Sequence, residues 1–187
     1  MMKGQLIILS GPSGVGKDTI LNEWIDANDR IRRVVTYTTR NKRPGEKEGI
    51  DYCFVSVEEF HELIRQDAFI EYKEVYGNFY GSPKTSTDEM LKKGLVPVLK
   101  IDVEGALDAM QLRPDATTIF LLPPSKEELI NRITKRATED ALALKKRIDK
   151  SEWELSQANE YQYKIVNDTI PEVIEKLNSV IKEKSPA

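Results

Sequence analysis

The sequence predicts an α/β fold whose core is a doubly wound parallel sheet. Short apolar runs of strand length alternate with segments whose apolar residues recur at helical spacing, the pattern typical of such folds. The first run, 6–9, is apolar at every position, as expected for a strand buried on both faces of a parallel sheet. A glycine-rich turn over 11–17 joins this strand to a helical pattern over 19–27.

This turn has the spacing of a phosphate-binding P-loop. It reads Gly-Pro-Ser-Gly-Val-Gly-Lys, with glycine at the first and sixth positions and Lys17 at the seventh. Glycines let the main chain approach a phosphate closely, where successive N–H groups and the next helix N-terminus face it. Lys17 adds a compact cation for the outer phosphates. We therefore predict a nucleoside triphosphate site, although Asp18 stands where a P-loop normally has serine or threonine.

Composition narrows the classes of protein further. The 187 residues suffice for one compact core with small excursions, and 40% hydrophobic with 32% charged residues is typical of a soluble globular chain. A formal charge of -3 argues against a nucleic-acid polymer as partner, although a local basic patch stays possible. The single cysteine, Cys53, fits a reducing compartment, and no apolar run approaches membrane-spanning length. We expect a cytoplasmic protein with no membrane contact, in which Cys53 and His61 are ordinary structural residues; the oligomeric state stays open.

The stretch after the first helix predicts a small insertion. A β-branched run over 34–39 and a run over 52–55 are read as strands, with a charged loop between them. Ser56 with Glu59 forms a capping box that begins a helix, and 69–75 alternates like a half-solvated strand. A glycine-hinged turn is expected over 76–82. This block predicts a small antiparallel unit inserted between the units of a parallel fold.

The rest of the chain returns to alternating helices and strands. Helices are predicted over 87–93, 104–111 and 126–159, the last divided at 138–140, and a final helix capped by Thr169 and Glu172; strands are predicted over 96–103, 117–122 and 163–166. Ser125 and Glu128 form a second capping box.

Two groups in the insertion suit a nucleotide. Arg40 and Arg43 lie three apart in a loop and suit a phosphate, to which Tyr52 and Tyr80 could add hydroxyl donors; a solvated charged loop is the alternative. Glu71 can accept two hydrogen bonds side by side, which matches adjacent N–H donors on a planar base, unless it simply faces solvent.

Three arginines of the helical region, Arg132, Arg136 and Arg147, are candidates for a lid. Arginines that close over a transferred phosphoryl group stabilise its charge and exclude water. Arg132 and Arg136 are four apart and share a helix face. The alternative is that these arginines are ordinary surface residues.

Together these residues resemble the guanylate kinase family. The resemblance rests on 11–17, Thr38-Thr39-Arg40 with 43–46, 49–55, 69–72, 77–82, Ile101-Asp102 with Gly105, and 166–168. These segments keep the order and spacing of the family over almost the whole chain.

The resemblance implies the reaction ATP + GMP ⇌ ADP + GDP, with dGMP as a further acceptor and Mg2+ as cofactor, in purine nucleotide metabolism. It also implies three regions: a P-loop core over 1–34, 85–125 and 158–187, a mixed α+β GMP-binding insertion over 35–84, and a helical lid over 126–157.

Site residues follow by position from the same resemblance. Those implied for ATP are Gly11, Pro12, Ser13, Gly14, Val15, Gly16, Lys17, Asp18, Thr19, Arg132 and, near the adenine, Asn167. Those implied for GMP are Thr36, Glu71 and Ser82 near the guanine, Arg40, Arg43, Tyr52 and Tyr80 at the phosphate, and Asp102. Catalysis is expected from Lys17, Arg40, Arg136 and Arg147.

Three residues depart from the family pattern: Asp18, Lys100 in place of an acidic residue, and Ala137 in place of a lid glycine. Alanine predicts a stiffer lid segment. Asp18 and Lys100 are either two independent changes or compensating charges, which pair directly or let Asp18 take over a water-mediated hold on magnesium.

Two alternatives to a guanylate kinase remain from the sequence. One is a catalytically inactive module of guanylate-kinase type that binds proteins; the intact Gly11, Gly14, Gly16 and Lys17 argue against it. The other is a related kinase acting on another small phosphorylated acceptor, against which Glu71 and the tyrosines argue.

Overall fold

A computed structural model describes residues 3–75, 77–135 and 141–183. In chain order its elements are β1 (Ile7–Ser10), α1 (Lys17–Ala27), β2 (Ile31–Arg33), β3 (Tyr37–Thr38), β4 (Cys53–Phe54), α2 (Val57–Arg65), β5 (Phe69–Val75), β6 (Asn78–Pro83), α3 (Lys84–Lys92), β7 (Val96–Lys100), α4 (Val103–Leu112), β8 (Thr117–Leu122), α5 (Lys126–Lys135), α6 (Ala141–Ser156), a 3-10 turn (Gln157–Glu160), β9 (Tyr163–Val166) and α7 (Ile170–Glu183).

The core is a five-stranded sheet in the order β2-β7-β1-β8-β9, in which all neighbouring strands are parallel. β1 lies at its centre, paired with β7 and β8, and helices cover both faces of the sheet, so Ile7, Ile8 and Leu9 are fully buried. Helices α1 and α7 pack on one face, while α4 packs on the other. The predicted doubly wound α/β core is confirmed.

A second sheet of four short strands follows the order β4-β3-β6-β5. The prediction of a small antiparallel unit holds for the pairs β3–β6 and β5–β6 and is wrong for β3 and β4, which run parallel. Phe60 of α2 stacks on Phe69 and Phe79, with ring centroids 4.7 and 5.4 Å apart, and joins the helix to the sheet. The boundaries predicted for core, insertion and lid stay predictions.

Three predicted strand and turn segments are wrong, and the helix predicted over 87–93 begins earlier, at Lys84. The run 34–39 is not one strand, because β2 ends before it in the large sheet and β3 begins within it in the small sheet. The expected turn over 76–82 is mostly strand β6, and Gly77, at φ 75, supplies the turn. The strand 96–103 ends at Lys100, because the Asp102 carboxylate accepts the Gly105 N–H at 2.8 Å and caps α4.

The two capping boxes predicted the starts of α2 and α5 correctly. Both bonds of the first capping box are present: the Ser56 hydroxyl accepts the Glu59 N–H at 3.1 Å, and the Glu59 carboxylate accepts the Ser56 N–H at 2.8 Å. At the second box, the Ser125 hydroxyl accepts the Glu128 N–H at 3.1 Å. The dividing point at 138–140, Ala137 and Arg136 lie outside the described residues. Among the helices that the structure describes, none is long and apolar enough to cross a membrane.

Candidate active site

The P-loop wraps around the end of β1 and leads into α1. Gly14 and Gly16 have φ of 84 and 100, values that favour glycine, and a Cβ on Gly16 would lie 2.9 Å from Asn167 Nδ2. Asn167 Nδ2 donates to the Val15 carbonyl at 2.7 Å, which ties the end of β9 to the loop. The predicted P-loop residues and Asn167 are therefore brought together.

Lys17 lies folded back along this loop. Its Nζ donates to the carbonyls of Gly11 at 2.6 Å and Pro12 at 3.1 Å. Burial lowers the pKa of Lys17 to about 8, although the nearby Glu154 carboxylate acts in the opposite direction. A phosphate in the loop would favour the charged form in the same way.

Glu154 of α6 is a site residue that the sequence analysis missed. Its side chain is 3% exposed, and its Oε2 accepts the P-loop Ser13 N–H at 3.0 Å. Burial raises the pKa of this carboxyl, which Ser13 and Lys17 partly offset. No local pattern in the sequence marks it, because its partners lie more than a hundred residues earlier.

A cavity of about 310 Å³ lies beside the P-loop lysine, and we name it the base-side cavity. Its lining includes Lys17, Thr36, Glu71, Tyr80 and Asp102. It joins the P-loop to residues of the small sheet, so side chains predicted for the two substrates share one space.

Glu71 is buried in this region, with 6% of its surface exposed. Ser82, directly across the strand pair, donates its hydroxyl to Glu71 Oε1 at 2.6 Å. Burial raises the pKa of Glu71 to about 7, against the effect of the Ser82 hydrogen bond. A Cβ on Gly105 would lie 3.1 Å from Glu71 Oε2 and from Asp102 Oδ1, so glycine lets the two carboxylates face one space. The solvent-facing alternative for Glu71 is wrong.

A second cavity of about 340 Å³ contains Arg40, Arg43, Tyr52 and Tyr80, and we name it the arginine cavity. Glu46 holds the loop in place: its carboxylate accepts two hydrogen bonds from the Arg40 guanidinium at 2.7 and 3.1 Å, and the Arg43 N–H at 2.7 Å. The Arg40 guanidinium also lies 5.3 Å from the Tyr52 ring centroid. Glu46 was not among the predicted site residues.

Asp18, Lys100 and Arg33 form an ion triplet beside the P-loop. Asp18 Oδ1 lies 2.5 Å from Lys100 Nζ and 3.4 Å from Arg33 NH1. Burial opposes ionisation of Asp18, but the two cations outweigh it and lower its pKa. The structure therefore has the direct pairing that was one alternative for Asp18 and Lys100, and it adds Arg33, which the sequence analysis did not select.

The acidic residues around the loop are few. In the part of the chain that the structure describes, no group of three or more His, Cys, Asp or Glu residues is placed to hold a metal ion. The carboxylates of Glu154, Asp102 and Asp18 act on the charge of Lys17, and the Asp18 side chain is 70% exposed. Mg2+ keeps several waters and takes one or two carboxylates plus substrate phosphates, so this sparse set fits an ion that arrives with a nucleotide.

Of the three lid candidates, Arg132 reaches the P-loop. Its NH1 donates to the Val15 carbonyl at 3.5 Å, and its NH2 pairs with Glu128 on the same helix. Arg147 lies half-buried on α6. Arg136 lies outside the described residues, so the grouping of the three stays a prediction.

A parallel sheet with a P-loop after its central strand, a cavity that the P-loop lysine lines, and a second cavity of arginines and tyrosines together define the class of P-loop nucleotide kinases. Comparison with known proteins identifies the family. Residues 3–184 match the guanylate kinase family, and the chain belongs to that family.

Individual relatives agree over nearly the whole chain. The guanylate kinase of Streptococcus pneumoniae serotype 4 is 45% identical over 181 residues, covering 96% of this chain and 87% of the relative. That of Clostridium tetani is 44% identical over 181 residues, covering 97% and 86%. The crystal structure of guanylate kinase from Anaplasma phagocytophilum superposes with a TM-score of 0.79 at 34% identity, covering 99% of this chain and 88% of the other. A shikimate kinase from Bacteroides thetaiotaomicron, at 15% identity and TM-score 0.50, shares the fold alone.

Proposed function

We propose that the protein is a guanylate kinase, an ATP:GMP phosphotransferase that transfers the γ-phosphoryl group of ATP to GMP, and to dGMP, giving ADP and GDP or dGDP. The observation that carries this function is the base-side cavity, in which Glu71 and the P-loop Lys17 line one space. Family membership supports the same reaction. The intact P-loop argues against an inactive protein-binding module. The carboxylate suited to guanine argues against a kinase for another acceptor.

Recognition of GMP is assigned to the small sheet and its loop. The proposed guanine residues are Thr36, Glu71 and Ser82. The proposed phosphate residues are Arg40, Arg43, Tyr52 and Tyr80. Asp102, also assigned to GMP, lines the base-side cavity. Guanine presents N1–H and N2–H₂ side by side, which match the two carboxylate oxygens of Glu71. Adenine presents an acceptor at N1, which would face the carboxylate and leave it unpaired.

Binding of ATP is assigned to the P-loop residues 11–19, with Arg132 and Asn167 at its edge. Phosphoryl transfer depends on positioning and on neutralising charge, so it requires no protein base. Lys17, Arg40, Arg136 and Arg147 are the cations proposed to act on the transferred group. Mg2+ that accompanies ATP would add charge neutralisation, and Asp18 is the residue proposed to hold it through water. From the sequence we still expect a cytoplasmic location, with no nucleic-acid polymer and no membrane as partner. The oligomeric state stays open.

A coupled assay for ADP release tests the function. We expect ATP-dependent turnover with GMP and dGMP, and at least a thousandfold lower kcat/KM with AMP, UMP and CMP, since sites that hydrogen-bond a substrate group can reject analogues by roughly 10⁴ to 10⁵. Turnover with none of these acceptors would favour the protein-binding alternative. A preference for a different acceptor would favour the related-kinase alternative.

A further inference from the structure

Two cations stand in the wall between the two cavities. Arg33 and Lys100 line both the base-side cavity and the arginine cavity. Each side chain is 19% exposed, so each is held largely out of solvent while its charged end reaches the open space. A molecule that extends from Glu71 to Arg40 must pass these two side chains.

One carboxylate holds both cations in place. Asp18 lies in the first turn of α1, next to Lys17, and its Oδ1 is the shared acceptor for Lys100 Nζ and Arg33 NH1. Arg33 is further fixed by its NH2, which donates to Asn22 Oδ1 at 2.7 Å. Asp18 balances one of these two positive charges; the Asp51 carboxylate, which also lines both cavities, accepts the Lys47 N–H at 2.7 Å. The charge of Lys100 also acts on Lys17 and helps to lower its pKa, although burial has the larger effect.

A purely structural role would give a different arrangement, which Arg113 illustrates. Its side chain is also 19% exposed, but two carboxylates, Asp88 and Asp115, surround it at 3.1 and 2.9 Å. Arg113 lines neither the base-side cavity nor the arginine cavity. Two carboxylates thus pair directly with the one charge of Arg113, whereas Lys100 and Arg33 share the single carboxylate of Asp18 and face a site for an anion.

We propose that Lys100 and Arg33 bind the phosphate of the acceptor nucleotide, and that Asp18 positions them. The inference rests on the proposed function, because a nucleotide whose base meets Glu71 directs its phosphate toward Arg40 and past this wall. A phosphate monoester carries up to two negative charges, and hydrogen bonds between such a group and a cation are stronger than neutral ones. Lys100 and Arg33 thus extend the predicted phosphate residues toward the P-loop.

Calorimetric titration with GMP and with guanosine, without magnesium or ATP, tests the proposal. We expect Lys100→Met to raise the Kd of GMP about tenfold or more, because a charged hydrogen bond is lost, and to change the Kd of guanosine less than twofold. Arg33→Gln should show the same split. Arg113→Gln is the matched control and should leave both Kd values unchanged, with thermal unfolding used to check that each variant is folded.

The role of Asp18 is tested by a double-mutant cycle on the Kd of GMP. Asp18→Asn should weaken GMP binding about threefold when Lys100 is present, and it should have no further effect in the Lys100→Met background. Tighter GMP binding by Asp18→Asn, or equal effects in both backgrounds, would overturn the positioning role.

The proposal fails if Lys100→Met and Arg33→Gln both bind GMP as the parent does, or if guanosine binding falls as much as GMP binding. This failure differs from failure of the proposed function, in which the parent itself shows no kinase turnover with GMP. Should Lys100→Met not fold, Arg33→Gln and the guanosine comparison decide the question by themselves.

Discussion

At the residue scale, the selectivity that we propose rests mainly on the environment of Glu71. Its carboxylate is buried, it accepts from Ser82 at 2.6 Å, and glycine at 105 leaves space beside it. A buried carboxylate without enough donors is costly, and a base that supplies two donors removes that cost. The Thr36 and Ser82 hydroxyls can donate or accept, so we expect them to refine the preference for guanine and not to determine it.

Glu71→Gln is therefore expected to impair use of GMP. We expect a loss of about 2–4 kcal/mol in kcat/KM for GMP, because one acceptor oxygen is replaced by a donor that faces the donors of guanine. The affinity for ATP should change little. The measurement is kcat/KM for GMP and AMP in the parent and the variant, with Glu74→Gln, an exposed glutamate of the same strand, as control. An unchanged preference for GMP over AMP would remove Glu71 as the base-reading residue.

The residues that sequence reasoning selected were those with a local signal. Glycine and lysine spacing indicated the P-loop, and alternation placed Glu71 on a strand, but Glu46, Arg33 and Glu154 had no such signal. Glu46 acts through a bidentate pair with Arg40, while Glu154 acts on Ser13 across the fold. Such contacts depend on tertiary packing, which the local patterns of a single sequence do not indicate.

At the scale of elements, prediction succeeded where the residue pattern within a segment is enough to indicate its structure. Strands β5, β8 and β9 have the bounds that their apolar patterns predict, and the capping box at Ser56 begins α2. Prediction failed over 34–39, where five of the six residues are β-branched, because β2 of the large sheet ends at Arg33 and only Tyr37–Thr38 form strand β3 of the small sheet. Strand β6 was missed because its glycine and hydroxyl residues are typical of turns, and pairing with β3 and β5 makes it a strand.

The capping box offers a test at this scale. Ser56→Ala should lower the free energy of unfolding by about 1 kcal/mol, because the Glu59 N–H loses its acceptor at the helix N-terminus. The measurement is urea unfolding. The control is Ser179→Ala, where an exposed hydroxyl in the middle of α7 donates to the Glu175 carbonyl, and where alanine favours the helix. Equal stability of Ser56→Ala and the parent would show that the box contributes nothing to folding.

At the scale of the whole molecule, the site lies where two sheets and the helices after β8 converge. The P-loop belongs to the large sheet, Glu71 to the small one, and Arg132 and Glu154 to α5 and α6, both of which contact the loop. The architecture of the core could be predicted, because alternating strands and helices admit few topologies. That the large and the small sheet line one cavity, while α5 and α6 contact the P-loop, could be expected only through the resemblance to a family.

The site contains a buried ionisable group, Glu71, and burial disfavours its charged form. The pH dependence of unfolding should show this effect. The ordinary pKa of a glutamate is 4.5, and burial raises that of Glu71 to about 7. The folded chain therefore binds a proton at Glu71 more tightly than the unfolded chain does. The contribution of this group to stability is fully present below about pH 4.5 and is lost as the pH rises through about 7.

Glu71→Gln removes this titration while keeping the shape of the side chain, so it should become more stable relative to the parent as the pH rises from 5 to 8. Each pKa unit corresponds to about 1.4 kcal/mol, and the shift sets an upper value of about 3 kcal/mol for the increase. Urea unfolding of both proteins without nucleotide, at several pH values, measures it. Glu62→Gln is the control: Arg65 lowers the pKa of that carboxyl, so the loss of stability linked to it comes on acidification, and no increase is expected over this range. A difference between Glu71→Gln and the parent that stays constant from pH 5 to 8 would mean that Glu71 ionises in the folded chain as readily as in the unfolded one.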